Sequence, residues 1–185
     1  MKRFAWVFLL VPLLAACRRE SDLPNFYSLP DFSLTDQTGK TTTLHDLAGR
    51  VWVADFIFTN CGGTCPLMTD KMRKLQDALP AEVHLVSFTV DPTRDTPKVL
   101  AAYAEEHGAS RDRWLFLTGE KQAMYDICVT GFKLPLDTEG GTPAEPIAHS
   151  TRFVLVDKHG DIRGYYSGTE EDELRRLSAD AKKLS

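Results

Sequence analysis

Val51-Trp52-Val53-Ala54-Asp55-Phe56-Ile57-Phe58, running straight into Thr59-Asn60-Cys61-Gly62-Gly63-Thr64-Cys65-Pro66, is the stretch on which the fold turns. Its first eight residues are apolar except for Asp55 and rich in β formers, the pattern of a strand covered on both faces. Pro66 suits the first turn of a helix, because the amide it lacks would have no partner there. Met68, Met72, Leu75 and Leu79 then fall on one helical face. Pro80 ends that helix. The unit is therefore strand, cysteine loop, helix, and Asp55 is either a buried carboxylate acting on a thiol or a residue at a sheet edge.

Outward from this unit the pattern alternates. Residues 83–90 are a second β-rich run. Thr96-Pro97 starts a helix with Val99, Leu100 and Tyr103 facing inward and Gly108 at its end. Residues 114–117 read as a third strand and 121–129 as a helix closed by Gly131. Residues 136–148, with Gly140, Gly141, Pro143 and Pro146, form the longest irregular stretch, a length often kept for function. A hairpin follows over 153–166, then a helix with Thr169 and Asp172 in capping-box spacing and Leu174, Leu177, Ala181 and Leu184 as its stripe. Before the central unit, Phe32, Leu34 and the Asp36-Gln37-Thr38-Gly39 turn suggest a small N-terminal hairpin. Strand–helix alternation closed by an antiparallel hairpin implies an α/β fold, a mixed sheet flanked by helices on both faces.

The 185 residues fit one domain, and 43% hydrophobic with 26% charged is ordinary for a soluble globular protein. A net charge of −4 gives no basic face for nucleic acid. Lys2 and Arg3, an apolar run over 4–14 too short to span a bilayer, and Leu14-Ala15-Ala16-Cys17 resemble a bacterial lipoprotein signal. On that reading residues 1–16 are removed, Cys17 is acylated, residues 17–30 are a tether and 31–185 are the domain. The protein is then membrane-anchored and extracytoplasmic, in an oxidising compartment. An ordinary secretory signal or an uncleaved short anchor would use the same residues. Of the remaining cysteines, Cys128 reads as a buried structural thiol. Cys61 and Cys65, at the start of a helix whose dipole favours thiolate, read as a functional pair, either nucleophile and resolver or metal ligands.

Three motifs in order carry a resemblance. Phe58-Thr59-Asn60-Cys61-Gly62-Gly63-Thr64-Cys65-Pro66 resembles the CxxxCP loop of the Sco/SenC proteins. Val90-Asp91-Pro92-Thr93-Arg94-Asp95-Thr96-Pro97 resembles their DPxxDTP segment, and His149-Ser150 with the strand after it resembles their histidine hairpin. The resemblance spans about residues 30–180. It implies a thioredoxin-like fold, membrane tethering and copper binding for assembly of the Cu-A centre of cytochrome c oxidase. It also implies that Cys61, Cys65 and His149 are the copper ligands. Gly62, where the family often has proline, and Gly63 depart from the pattern and make the loop more pliable; Cys128 is outside the motif.

Two thiolates and one imidazole are a donor set suited to copper, whereas structural zinc would usually take four protein ligands. The partner implied is an apo-cytochrome c oxidase subunit or another cuproprotein, with the chain monomeric. The alternative is a thiol–disulfide reductase that keeps a cuproprotein's cysteines reduced, with Cys61 attacking and Cys65 resolving. A thiol peroxidase is a third class, for which no activating arginine lies near in sequence. A ligating imidazole wants its second nitrogen held by a carboxylate or carbonyl; Asp55, Asp91 and Asp95 are candidates, and Asp91 is the one expected to hold the His149 ring. Asp91 and Asp95 also suit a turn and a helix start. Met68 and Met72 read as core. His45, His84, His107 and His159 have no metal spacing.

Overall fold

Strand β4 (Trp52–Ile57) is buried along its whole length, as its sequence requires. The computed structural model describes residues 23–63, 65–138, 140, 142 and 147–185; the leader and Cys17 lie outside the described residues. Beside β4 run the parallel strands β5 (His84–Thr89) and β6 (Trp114–Thr118), reached through helices α1 (Cys65–Ala78) and α2 (Pro97–Glu106). On the other side β9 (Arg152–Val156) and β10 (Asp161–Ser167) form the hairpin, with β9 antiparallel to β4. The N-terminal hairpin is β2 (Ser33–Asp36) and β3 (Thr41–Thr43), and β2 adds antiparallel to β6. Strand β1 (Tyr27–Ser28) completes an eight-stranded sheet of order β1-β10-β9-β4-β5-β6-β2-β3. This is the thioredoxin-like mixed sheet the motifs imply.

Alternation along β4 sorts the interior into two cores. Trp52, Ala54 and Phe56 face a cluster with Phe88, Phe132, Val154 and Ile162, joined by a rings-on-rings contact of Phe56 with Phe88 at 5.3 Å. Val53 and Ile57 face the other cluster, built on Met68, Met72 and Leu75 of α1, Leu100 of α2, and Leu177 and Ala181 of α4 (Glu171–Leu184). Met68 and Met72 are thus core residues. The guanidinium of Arg113 donates to the carbonyls of Gln76, Leu79, Pro80 and Val83, tying the C-terminal end of α1 to the turn that follows it.

Several details differ from the sequence expectation. Residues 23–30 are not a free tether: β1 pairs with β10, Leu29 is buried, and Arg163 donates to the carbonyls of Leu23 and Pro24. An edge strand of two residues is too short to show a period. The helix expected over 121–129 is α3 (Lys121–Asp126), which widens into a π turn over Ile127–Gly131. Val99 is exposed rather than inward, while Leu100 is buried. Glu170, not Thr169, sits at the N-cap of α4, and makes no side-chain cap. Part of the irregular stretch is ordered as β7 (Leu136–Asp137) paired with β8 (Ala148–His149), which places His149 by main-chain pairing with Leu136.

Candidate metal centre

The end of β4, the start of α1 and the end of β8 meet at one place. Cys65 opens α1 and is 1% exposed, while Cys61 in the preceding loop is 9% exposed. Both are free thiols. Nε2 of His149 lies 3.3 Å from Sγ of Cys65, although the residues are 84 apart in sequence. The other ring nitrogen, Nδ1, is 3.0 Å from the carbonyl oxygen of Ser150. With Nδ1–H donating to that carbonyl, the neutral ring presents the lone pair of Nε2 to the sulfur. The ring of Phe58 stands edge-on to the imidazole, centroids 5.6 Å apart, and walls it on one side.

The resting electrostatics oppose a thiolate at Cys65. Burial pushes its thiol far above the ordinary range, and a hydrogen bond to Cys61 adds to this; a backbone hydrogen bond from Phe58 pulls the other way without offsetting them. This corrects the expectation of a helix-start thiol with lowered pKa, because desolvation outweighs the helix dipole for a sulfur this deep. A cation would reverse the balance, since a metal deprotonates a coordinating thiol outright. The three donors do not yet enclose a common point: among the described residues, no group of three His, Cys, Asp or Glu side chains is set to hold a metal as it stands. The donor set nonetheless fits a soft metal in type, and the 61–65 loop carries two glycines for the closure that loading would ask of it.

The aspartates separate clearly. Asp55 is in the central strand, fully buried, with Oδ1 accepting from Ser87 and Oδ2 without a hydrogen-bond partner. Burial raises its pKa to about 7. Asp91 turns its carboxylate toward Arg94 at 3.7 Å, and its amide donates to Thr89. A carbonyl, that of Ser150, therefore does for the ring what was expected of Asp91. Asp95, expected as a turn residue, proves fully buried and bonded to Thr59, two residues before Cys61. Nothing in the local sequence signalled that contact, which crosses between two loops. Cys128 is buried in the π turn, its Sγ 3.9 Å from the carbonyl of Leu134, and burial raises its pKa to about 12.

The family model described as SCO1/SenC matches residues 22–184. The chain belongs to the SCO1/SenC family. It is 37% identical over 166 residues to a SCO1 protein homolog of Bacillus subtilis, covering 88% of this chain and 85% of that one. A crystal structure of a SCO1/SenC family lipoprotein from Bacillus anthracis superposes with TM-score 0.78 at 35% identity, over 85% of this chain and 95% of that one. BsSco, a member of the Sco family of cytochrome c oxidase assembly proteins studied for a disulfide switch, gives TM-score 0.77 at 36% identity, over 89% and 96%. ScoI of Bradyrhizobium japonicum with copper bound shares the fold, with TM-score 0.72 at 22% identity over 86% of this chain and 100% of that one.

Proposed function

We propose that this SCO1/SenC protein binds copper through Cys61, Cys65 and His149 and hands it to an apo-cytochrome c oxidase subunit or another cuproprotein. One observation carries the reading: an imidazole lone pair, fixed by a main-chain carbonyl, faces one of two adjacent free thiols at 3.3 Å. Copper is cargo here. Loading removes the thiol protons, so uptake weakens as pH falls, and oxidation of the pair to a disulfide abolishes it. Two thiolates with one imidazole suit Cu(I), and an open position lets a partner's donor enter before the metal leaves. Relatives support the cargo, since ScoI structures hold copper.

The hydrogen bond between Cys61 and Cys65 favours a second reading, a thiol–disulfide reductase that passes two electrons to a partner disulfide and closes its own. Cys61, the more accessible sulfur, would attack and Cys65 would resolve. We place the chain outside the cytoplasm, held to a membrane by lipid on Cys17, as the sequence of the leader suggests and the lipoprotein relative supports. Among the described residues no helix is long and apolar enough to cross a membrane.

The test is a copper titration of reduced, oxidised and His149→Ala protein, read by visible absorption and elemental analysis. Copper transfer requires one equivalent on the reduced chain, none on the oxidised chain and weak binding by the variant. Equal binding by wild type and variant removes the third ligand and leaves the reductase.

A further inference from the structure

Asp95 has no exposed surface, yet it carries a carboxylate. Such a group is costly to bury unless donors surround it. Three converge on it: the Thr59 amide at 3.1 Å and the Thr89 hydroxyl at 2.5 Å on Oδ2, and the Thr59 hydroxyl at 2.5 Å on Oδ1. Thr89 is local, six residues back on β5. Thr59 is not: it lies 36 residues away, on the segment that carries Cys61.

The main-chain groups of the turn that bears Asp95 are satisfied without a direct bond to that side chain, which enters the turn only through the Thr89 hydroxyl. The amides of Arg94 and Asp95 donate to the carbonyl of Asp91, the amide of Asp91 donates to Thr89 Oγ1, and α2 has its own cap in Thr96. Beyond its bond from Thr89, the Asp95 carboxylate reaches across to Thr59, where it engages both the amide and the hydroxyl. Main-chain pairing of β4 with its neighbour reaches its last bond where Val90 N donates to Ile57 O at 2.8 Å. The Asp95–Thr59 clamp continues that attachment by side chain to within two residues of Cys61. Beyond Cys61 come Gly62 and Gly63, whose backbones resist motion least.

We propose that Asp95 is a positioning residue for Cys61. Through Thr59 it holds the first sulfur at the spacing from Cys65 and His149 from which the pair closes, on a metal or into a disulfide, while Gly62 and Gly63 absorb the movement. The metal half of this statement rests on the copper reading above; the disulfide half does not.

Full-length Thr59→Val, Thr59→Ser and Asp95→Asn proteins test it by two readouts. One is Cu(I) affinity by competition with bicinchoninate. The other is the dithiol–disulfide equilibrium with glutathione, in which one oxidised glutathione takes two electrons and two protons from the pair and yields two reduced glutathiones. Thermal midpoints monitor the fold. Thr59→Val should weaken Cu(I) binding and shift the glutathione equilibrium by about fivefold or more, the scale of one hydrogen bond. Thr59→Ser, which restores the hydroxyl, should behave as wild type. Asp95→Asn should exceed Thr59→Val, and if it does not fold, Thr59→Val alone decides. A folded Thr59→Val protein within twofold of wild type in both readouts overturns the proposal. Wild type that binds no Cu(I), with a glutathione equilibrium still shifted in Thr59→Val, instead removes the copper reading and keeps the clamp.

Discussion

Cys65 and Cys128 share one apolar cluster, and burial raises both thiols, yet their surroundings differ in kind. Cys128 stands in a π turn with only a long contact to the carbonyl of Leu134. Cys65 has a second sulfur and an imidazole within reach, at the junction of three elements. Low dielectric alone makes a sulfur inert. The same low dielectric becomes useful when a neighbour can take the proton or a cation can replace it, because charge interactions there are stronger than in water.

The largest expected effect comes from erasing the junction. Cys65→Ser should abolish both copper retention and the intramolecular disulfide, while Cys128→Ser should leave copper stoichiometry unchanged; equilibrium dialysis and thiol counting check both. Equal losses in the two variants would end the distinction between the regions. Next is His149→Ala, which should weaken Cu(I) binding about a hundredfold or more, since ~10 kcal/mol, the lower end for a structural zinc site, divided among three or four ligands leaves ~2.5–3.3 kcal/mol for each. Its rate of exchange with a small disulfide should change far less, and competition titration beside stopped-flow exchange separates the two.

Asp55 sharpens the comparison from the other face of β4. Its folded pKa of about 7 lies above the ordinary 3.8, because burial penalises the charge. The folded state therefore holds this proton more tightly than the unfolded chain. Below about pH 4 both states are protonated and the penalty is absent; from there to about pH 7 stability falls by at most ~1.4 kcal/mol per unit, and above that the loss is complete. Asp55→Asn should therefore be more stable than wild type at pH 8, with the gap shrinking towards pH 4, as urea midpoints across that range would report. A gap independent of pH would mean the carboxyl does not titrate in this window. The smallest effect is the reactivity of Cys128: with its pKa near 12, iodoacetamide at pH 8 should label it only after denaturation. Labelling in the native state at the rate of Cys61 would show that the π turn opens.

Much of the fold was legible because its signals are periodic. The doubly covered β4, the Met68–Met72–Leu75 stripe of α1 and the closing hairpin each follow from a run long enough to show its period. Strand β1 was not legible, since two residues cannot show alternation and Leu29 alone marks the burial. The capping role given to Thr169 failed because the chain reaches Glu170 before turning helical. Asp55 could be named but not placed, because a lone acid in an apolar run reads the same at a sheet edge as at its centre.

The order of residues by itself determined the α/β alternation, the family motifs and the types of donor at the candidate centre. Only the tertiary structure decided that His149 faces Cys65, that a Ser150 carbonyl orients its ring, and that Asp95 rather than Asp91 grips the cysteine loop. The physical reason is range. Periodicity and capping act over a few residues, whereas these contacts join positions 84 and 36 apart, which meet only once sheet order and the burial of two cores have fixed where each loop ends.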